Sequence, residues 1–256
     1  MTLPSSGGLS IGQILAEIGD SYPVTIPNAN WRTLAGKPSG SLVIPTDFYG
    51  KSWRSASLVY TSSSASETAQ YGADVVGGGR WIAVIAVGGN SSSAYNLSAT
   101  ISGVAGTVIE THSSGDGSGN ATGTAIIVGQ PTGTSGTVTV SGTTTMRFYV
   151  VRVTGYNLGT AVYANNSNGV GIPPWSANVP ANGLTLSVCQ AGPNGPSPTT
   201  WTNLTQRVAA NALISNHMSS VAWDVNMAAN SALSVNVTAD DVNGHTSAVI
   251  ATFNPL

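Results

Sequence analysis

Charged side chains are scarce in this sequence. They make up 7% of the 256 residues, whereas about 25% is usual in a soluble domain. Eight Lys and Arg against ten Asp and Glu leave a net charge of −2, which provides no basic surface for nucleic acid. The hydrophobic content of 41% is still high enough for a packed core, which argues against disorder. We therefore expect a folded protein without a nucleic-acid partner.

Cysteine is nearly absent as well. Cys189 is the one cysteine of the chain, so no intramolecular disulfide can form and stability must come from packing, with oligomerisation as a further source. It ends the run Leu184–Cys189, which is typical of a strand. This placement predicts a buried, unreactive thiol rather than a nucleophile.

Residues 1–8 do not have the pattern of a leader, and long apolar runs are missing as well. Residues Met1–Gly8 contain neither a basic nor an apolar stretch, so we expect no secretory signal. The longest uninterrupted apolar run, Trp81–Val87, is far too short to cross a bilayer. We expect no membrane insertion.

Residues 1–52 form a segment of their own. They contain three short units, each an extended apolar piece followed by a helical turn and a glycine: Leu9–Gly19, Val24–Gly36 and Leu42–Gly50. Ser10 with Gln13 three residues later matches a capping box, and Pro27 and Pro45 suit the first turn of a helix. The pattern predicts short helices over 12–18, 27–35 and 45–49.

The apolar side chains of these units need a partner to bury them. They are Ile14, Ile18, Trp31, Leu34, Phe48 and Tyr49. One interpretation is a small subdomain packed on the rest of its own chain. The other is a docking segment packed on another protein, which would then order only on that partner. The pattern alone leaves both open.

From Trp53 onward the pattern changes to a period of two, which is typical of strands. The predicted strands are 56–60, 80–87, 97–101, 108–111, 124–128, 137–140, 146–153, 161–163, 184–189, 219–225, 233–238 and 248–253. Glycine-rich turns separate them, and Gln206–Ile214 is ambiguous between helix and strand. Residues 53–256 are therefore predicted to form an antiparallel, jelly-roll-like β-sandwich in an all-β chain.

The first 52 residues resemble a segment that recurs at the start of tailed-bacteriophage fibre, spike and minor structural proteins. The resemblance covers about a fifth of the chain and rests on Leu3–Gly7, Leu9–Ile11, Ile14, Glu17, Leu34–Gly40 and Asp47–Ser52. It implies a portable attachment module, a location in the virion, and capsid, neck or tail proteins as partners. It also implies a homo-oligomer, a trimer or, at a five-fold vertex, a pentamer. The remainder resembles, more loosely, the β-sandwich domains of phage fibres and gene-transfer-agent spikes, through Arg80–Ile85, Thr137–Val140, and Trp201 with Leu204.

No catalytic constellation is visible. Glu110 could approach Asp224 or Asp240, but nothing in the sequence pairs them as a glycosidase requires. The three histidines lack zinc-site spacing, and no nucleophile elbow precedes a helix. Asp240–Asp241 could hold a surface Ca²⁺, although a turn that caps its own backbone is the favoured interpretation. We expect no enzyme, no cofactor and no metal site.

Tryptophans are the remaining candidates for binding. Trp175 follows two prolines near Asn166 and Asn168, and a loop Trp among amides can stack on a sugar ring. A Trp that pins a loop to the sandwich is the favoured alternative. Trp81 and Trp223 lie in strand patterns and are predicted core residues.

The sequence therefore predicts a structural virion component, a fibre or spike that is anchored by its N-terminus and displays a β-sandwich for host-surface contact. A carbohydrate-binding module that recognises a host-surface glycan is the alternative. A polysaccharide depolymerase is a third and less favoured possibility.

Overall fold

A computed structural model describes residues 3–18, 29–35, 39–44, 46–48, 54–72, 80–91, 96–115, 121–143, 145–168, 174–192, 200–214, 217–238 and 246–256. Within these residues the chain forms two short helices and seventeen strands, and all strand pairs are antiparallel. The predicted antiparallel all-β class is confirmed.

The elements fall into an N-terminal unit and two halves. The N-terminal unit contains α1 Ile11–Ile18 and α2 Ala29–Ala35. The first half contains β1 Ser55–Thr61, β2 Ser66–Gln70, β3 Trp81–Ser91, β4 Ser98–Ile101, β5 Val104–Ala105, β6 Thr107–Ser114, β7 Ala121–Gly129, β8 Ser135–Ser141 and β9 Thr145–Thr154. The second half contains β10 Tyr156–Asn168, β11 Trp175–Val179, β12 Gly183–Ala191, β13 Thr200–Thr202, β14 Gln206–Ile214, β15 His217–Met227, β16 Asn230–Thr238 and β17 Thr246–Pro255.

Each half is a sandwich of an inner and an outer sheet. The first half has an inner sheet in the order β1-β9-β3-β7-β6 and an outer sheet β2-β8-β4-β5. The second half has an inner sheet β10-β17-β12-β15-β14 and an outer sheet β11-β16-β13. Strand for strand, the second half repeats the topology of the first, and only the two-residue β5 has no described counterpart. The described strands thus form a tandem structural repeat.

Buried side chains place the four sheets in layers. One apolar cluster lies between the two inner sheets, and it includes Ile85, Val151, Leu186 and Val249. A second cluster lies between the inner and outer sheets of the first half, and a third lies at the corresponding place in the second half. The inner sheets are therefore covered on both faces, and the two sandwiches pack back to back.

The sequence prediction of a single sandwich is thus extended to two. The physical reason lies in strands such as β3, where Ile82, Val84 and Ala86 point into one cluster and Ala83 and Ile85 into another. A strand buried on both faces gives a continuous apolar run rather than an alternating one. The run from 81 to 87 was the available signal of a central layer.

Each of the twelve predicted strands overlaps an observed strand. Ten lie entirely within one, whereas 80–87 and 97–101 begin one residue before β3 and β4. The five that were not predicted are β2, β5, β11, β13 and β14. Four of them, β2, β5, β11 and β13, belong to outer sheets and have at most five residues, such as β2 with the sequence SETAQ. The ambiguous stretch Gln206–Ile214 is a strand, because it pairs along β15 at the edge of the second inner sheet.

The two halves are aligned, so the molecule has two distinct ends. We call the near end the one where Ser55 pairs with Thr154 and Tyr156 pairs with Pro255. The far end is where β3, β6, β10, β12 and β14 finish and where β7, β9, β15 and β17 begin. The Trp223 indole donates to Ala56 O at 3.2 Å towards the near end. Towards the far end, Ser247 Oγ donates to Thr124 Oγ1 at 3.3 Å.

The first helix begins as the sequence predicts. Ser10 N donates to Gln13 Oε1 at 2.7 Å, and Gln13 N donates to Ser10 Oγ at 3.2 Å, which is the reciprocal capping box. The second predicted helix is observed over 29–35, while 27–28 lie outside the described residues. Of the third, residues 46–48 are described and form a turn.

Candidate functional site

The N-terminal unit has its own core. Five of the six predicted docking side chains, Ile14, Ile18, Trp31, Leu34 and Phe48, lie together in one buried cluster with Leu3, Leu15 and Ala35. The rings of Trp31 and Phe48 meet edge to face, with their centroids 5.5 Å apart, a favourable aromatic geometry. The sixth predicted residue, Tyr49, lies outside the described residues.

These side chains are buried inside the unit, whereas direct docking requires them to be exposed. Trp31 and Phe48 are both 0% exposed, so neither can contact a partner while the unit keeps this fold. Among the described residues of the unit, the large apolar side chains that are exposed are instead Ile11, Val43 and Ile44, at 37%, 50% and 36%. We call these three the apolar triplet.

Part of the triplet is held in a closed turn. Asp47 N donates to Val43 O at 2.9 Å, and Val43 N donates back to Asp47 Oδ2 at 2.7 Å. A nearby bond from Arg32 Nη1 to Gly40 O, at 2.8 Å, ties helix α2 to the stretch before this turn. The backbone that carries Val43 is therefore fixed from both sides, although the side chain itself is exposed.

A buried ion pair joins the unit to the first half. Glu17 Oε2 on α1 lies 3.5 Å from Nη1 of Arg54, and the two side chains are 0% and 6% exposed. Arg54 directly precedes β1 at the near end. Tyr156 lies close enough for both charges to act on its hydroxyl, although burial is the main cause that raises the pKa of Tyr156 to about 12. The unit is thus fastened to the near end of the sandwiches.

The predicted glycan contacts lie on two different strands, Trp175 on β11 and Asn166 and Asn168 on β10. Trp175 is the first residue of β11 rather than a loop residue, and it is 4% exposed between the sheets of the second half. In this position it offers no open face to a sugar ring, because its side chain alternates into the core like those of Ala177 and Val179. Asn166 lies on β10, half-buried, and Asn168 ends that strand. The structure does not bring Trp175 together with these amides through any described contact.

Two of the carboxylates considered for catalysis, Glu110 and Asp224, form hydrogen bonds with other side chains. Glu110 Oε1 accepts from Asn166 Nδ2 at 3.0 Å, across the flank where β6 meets β10. Asp224 on β15 accepts from Arg207 Nη2 at 3.0 Å. Burial lowers the pKa of His112, an effect that the neighbouring Glu110 opposes. Asp240 and Asp241, with the possible Ca²⁺ turn, lie outside the described residues.

A half-buried carboxylate is strongly hydrogen-bonded on β2, in the outer sheet of the first half. Glu67 accepts from the hydroxyl of Tyr60, and its Oε1 also accepts from the backbone N and the Oγ of Ser63, both at 2.7 Å. These donors, Tyr60 first, lower the pKa of Glu67 to about 2, and the same bond raises the pKa of Tyr60. The arrangement closes the turn between β1 and β2.

Cys189 is 0% exposed in the core of the second half, so its predicted burial is confirmed, and burial raises the pKa of its thiol. Among the described residues, no three or more His, Cys, Asp or Glu side chains are grouped so that they could hold a metal ion. No helix in the described part of the chain is both long enough and apolar enough to cross a membrane.

Sequence analysis missed the residues that most clearly define the near end. Arg54 was not identified, although its charge in a chain so poor in charges was a usable signal. The apolar piece Leu42–Ile44 was recognised as part of a repeated unit, but its exposure depends on which side chains the unit buries. In comparisons with known proteins, the chain matches no family model, no curated protein and no solved structure.

Proposed function

We propose that this protein is a structural component of a tailed-phage virion, a fibre or spike attached through its N-terminal unit. The observation that carries the proposal is that the two ends of the molecule differ. The N-terminal unit is fastened at the near end through Glu17 and Arg54, while the far end of both sandwiches points away from it. A display protein requires such an arrangement, and the resemblance of residues 1–52 supplies the virion as the place of attachment.

The apolar triplet is the proposed contact with the virion. Complete burial of one large apolar side chain contributes roughly 1.5–3 kcal/mol. Three partly exposed side chains give modest affinity once the cost of association is subtracted. Several copies held in one oligomer would raise the overall affinity without new contacts. The buried cluster around Trp31 then shapes the unit that presents the triplet.

Oligomerisation therefore belongs to the same proposal. The resemblance implies a trimer, or a pentamer at a five-fold vertex. In either state, several linked copies of the triplet would bind the virion more tightly than one copy. Native mass spectrometry of the full chain at micromolar concentration is expected to show a closed homo-oligomer. A monomer under these conditions would argue against this part of the proposal.

Co-sedimentation with virions tests the attachment. Particles that lack the protein are incubated with the full chain, with a fragment that lacks residues 1–52, or with a triple variant Ile11→Ser, Val43→Ser, Ile44→Ser. Both changed proteins are expected to stay in the supernatant. The matched control is a Leu58→Ser, Val104→Ser variant, which removes exposed apolar side chains from the sandwich (38% and 70% exposed) and should still sediment.

The outcomes separate the alternatives clearly. If the truncated chain binds particles normally, attachment does not depend on residues 1–52 and the proposal fails. If the truncated chain is released but the triple variant binds, the unit attaches through another surface. Trp31→Ala should release the protein by unfolding the unit, so circular dichroism of that variant must accompany its binding measurement.

A further inference from the structure

A groove lies at the corner where the chain crosses from the outer to the inner sheet of the first half. One wall is the β4–β5 turn and the start of β6, and the other is the chain that leaves β7 through Gln130–Thr132. Its volume is about 290 Å³. This is just below the range of roughly 300–1,000 Å³ found for small-molecule sites. The groove is thus large enough for one small ring or the end of a larger molecule.

The floor of the groove is apolar. Ile101 and Val128 are buried beneath it, and part of the half-buried Trp81 indole lines it. The six-membered ring of that indole also lies against Gly159 of the second half, where a Cβ would be only 3.2 Å from Cη2. A side chain at 159 would require the ring to shift by a few tenths of an ångström, and the glycine leaves Trp81 in its place.

The rim of the groove is polar but uncharged. Ser102, Thr107, Gln130 and Thr132 supply hydroxyl and amide groups from exposed positions. No Asp, Glu, Lys, Arg or His is among the described residues that line the groove. The lining therefore offers no charge to neutralise an anion or a cation, whereas it can both donate to and accept from neutral hydroxyls.

The walls are held in place before any ligand arrives. The guanidinium of Arg80, which is 1% exposed, donates to the carbonyl oxygens of Gly72 and Pro131. Burial of a guanidinium is costly unless it is hydrogen-bonded, and here it fixes the wall that carries Gln130 and Thr132. On the other side, Ser102 N donates to Thr137 O at 2.8 Å and Gly106 N to Ala99 O at 2.9 Å.

We infer that this groove binds a neutral saccharide, one ring or the terminal ring of a glycan. An aromatic and aliphatic floor matches the C–H face of a sugar, and a rim of hydroxyls and an amide matches its hydroxyl groups. The inference goes beyond the attachment role and does not depend on it, since it uses only residues of the sandwiches. It also places carbohydrate binding in the first half, away from Trp175.

Protein-observed NMR of the full chain tests the inference. The probes are glucose, galactose, mannose, rhamnose and N-acetylglucosamine, each titrated to high millimolar concentration. At least one should cause saturable shifts at the Trp81 indole N–H and at the amides around Ser102 and Gln130. A dissociation constant in the millimolar range is expected for a single ring in a shallow groove.

Two variants make the test specific. Trp81→Ala should abolish the shifts, but it removes a side chain that also packs between the halves. Gln130→Ala changes an exposed residue and should weaken binding about three- to tenfold, the effect of one lost hydrogen bond. The matched control is Gln70→Ala, an exposed glutamine on β2 at the opposite edge of the same outer sheet, which should leave binding unchanged.

Three results would overturn the inference. They are the absence of saturable shifts with every probe, shifts centred away from the groove, and equal binding by the wild type and Gln130→Ala. Glucuronate and glucosamine serve as charged analogues of the neutral probes. If either bound more tightly than its neutral parent, the assignment to neutral sugars would be wrong.

Discussion

Nη1 of Arg54 lies 3.5 Å from Oε2 of Glu17, and both side chains are almost completely buried. This distance is that of an ion pair rather than a short hydrogen bond. The pair joins helix α1 of the N-terminal unit to the residue that directly precedes β1. Because the pair is buried, removal of either partner would leave an uncompensated buried charge. We therefore expect its loss to destabilise the packing of the N-terminal unit on the first half.

Arg54→Met is therefore expected to loosen the N-terminal unit. Removal of one partner of a buried pair costs about 3–5 kcal/mol. Hydrogen exchange at the amides of α1 should accelerate, while the amides of the inner sheets stay protected.

The matched control for this variant is Arg207→Met. Arg207 pairs with Asp224 at 3.0 Å, but the two side chains are 40% and 26% exposed. Arg207 also lies over the Trp223 ring, so its loss should cost at most about 1–2 kcal/mol. If the two variants loosen α1 equally, the ion pair does not fasten the unit.

Tyr149→Phe is expected to weaken the contact between the two halves. The Tyr149 hydroxyl and Ser219 Oγ are 2.8 Å apart between the inner sheets, and the substitution leaves a buried serine hydroxyl without this partner. The expected loss is about 1–3 kcal/mol in the free energy of unfolding. Adding Ser219→Ala should restore part of it in urea denaturation. A double variant no more stable than Tyr149→Phe would contradict this account.

The same tyrosine predicts a loss of stability at alkaline pH. Burial raises the pKa of Tyr149 to about 12, above the value of about 10 for an unfolded tyrosine. The folded state thus holds this proton more tightly, and the contribution is complete below pH 10 and is lost as the pH rises towards 12. Tyr149→Phe should show a flatter decline than the wild type over that interval, measured as melting temperature against pH. Tyr156 contributes in the same direction, so the decline should not vanish.

Glu67 predicts the opposite behaviour in acid. Its pKa is lowered to about 2 from the usual 4.5, so its contribution to stability is present above pH 4.5 and is lost as the pH falls through 2. Glu67→Gln should remove this part of the acid dependence and leave the stability near pH 2 almost unchanged. Carboxyl NMR of the wild type measures the pKa directly, and a value near 4.5 would contradict the hydrogen-bond pattern around Ser63 and Tyr60.

Cys189 is expected to be unreactive in the native protein. Its side chain is 0% exposed, and burial raises its pKa, so little thiolate is present at neutral pH. Ellman's reagent should label no thiol in native protein and one per chain in guanidinium chloride. Rapid labelling without denaturant would show that the second half opens readily.

Local chemistry made several features of this protein predictable from its sequence. Ser10 and Gln13 predict the start of α1 because a capping box involves only neighbouring residues. Thr137–Val140 predicts a strand because alternation is a property of the strand itself, and Cys189 follows from the strand around it. The alternation of apolar and polar residues cannot encode which sheet faces pack against each other when their strands are far apart in the chain. The tertiary structure decided this.

The stacking of two sandwiches is one such result, because both faces of β3 are covered by strands far away in sequence. The repeat is hidden in the sequence because corresponding strands of the two halves carry different residues. Ala99 on β4 pairs with Val140 in the first half, whereas Trp201 on β13 pairs with Val237 in the second. The place of Trp175 also depended on a distant partner, since β11 exists by pairing with β16. For the N-terminal unit, the sequence supplied the apolar side chains. Only packing decided that Trp31 and Phe48 face each other inside the unit and that Ile11, Val43 and Ile44 are left exposed, because burial is a property of the assembled fold and not of a residue's position in the chain.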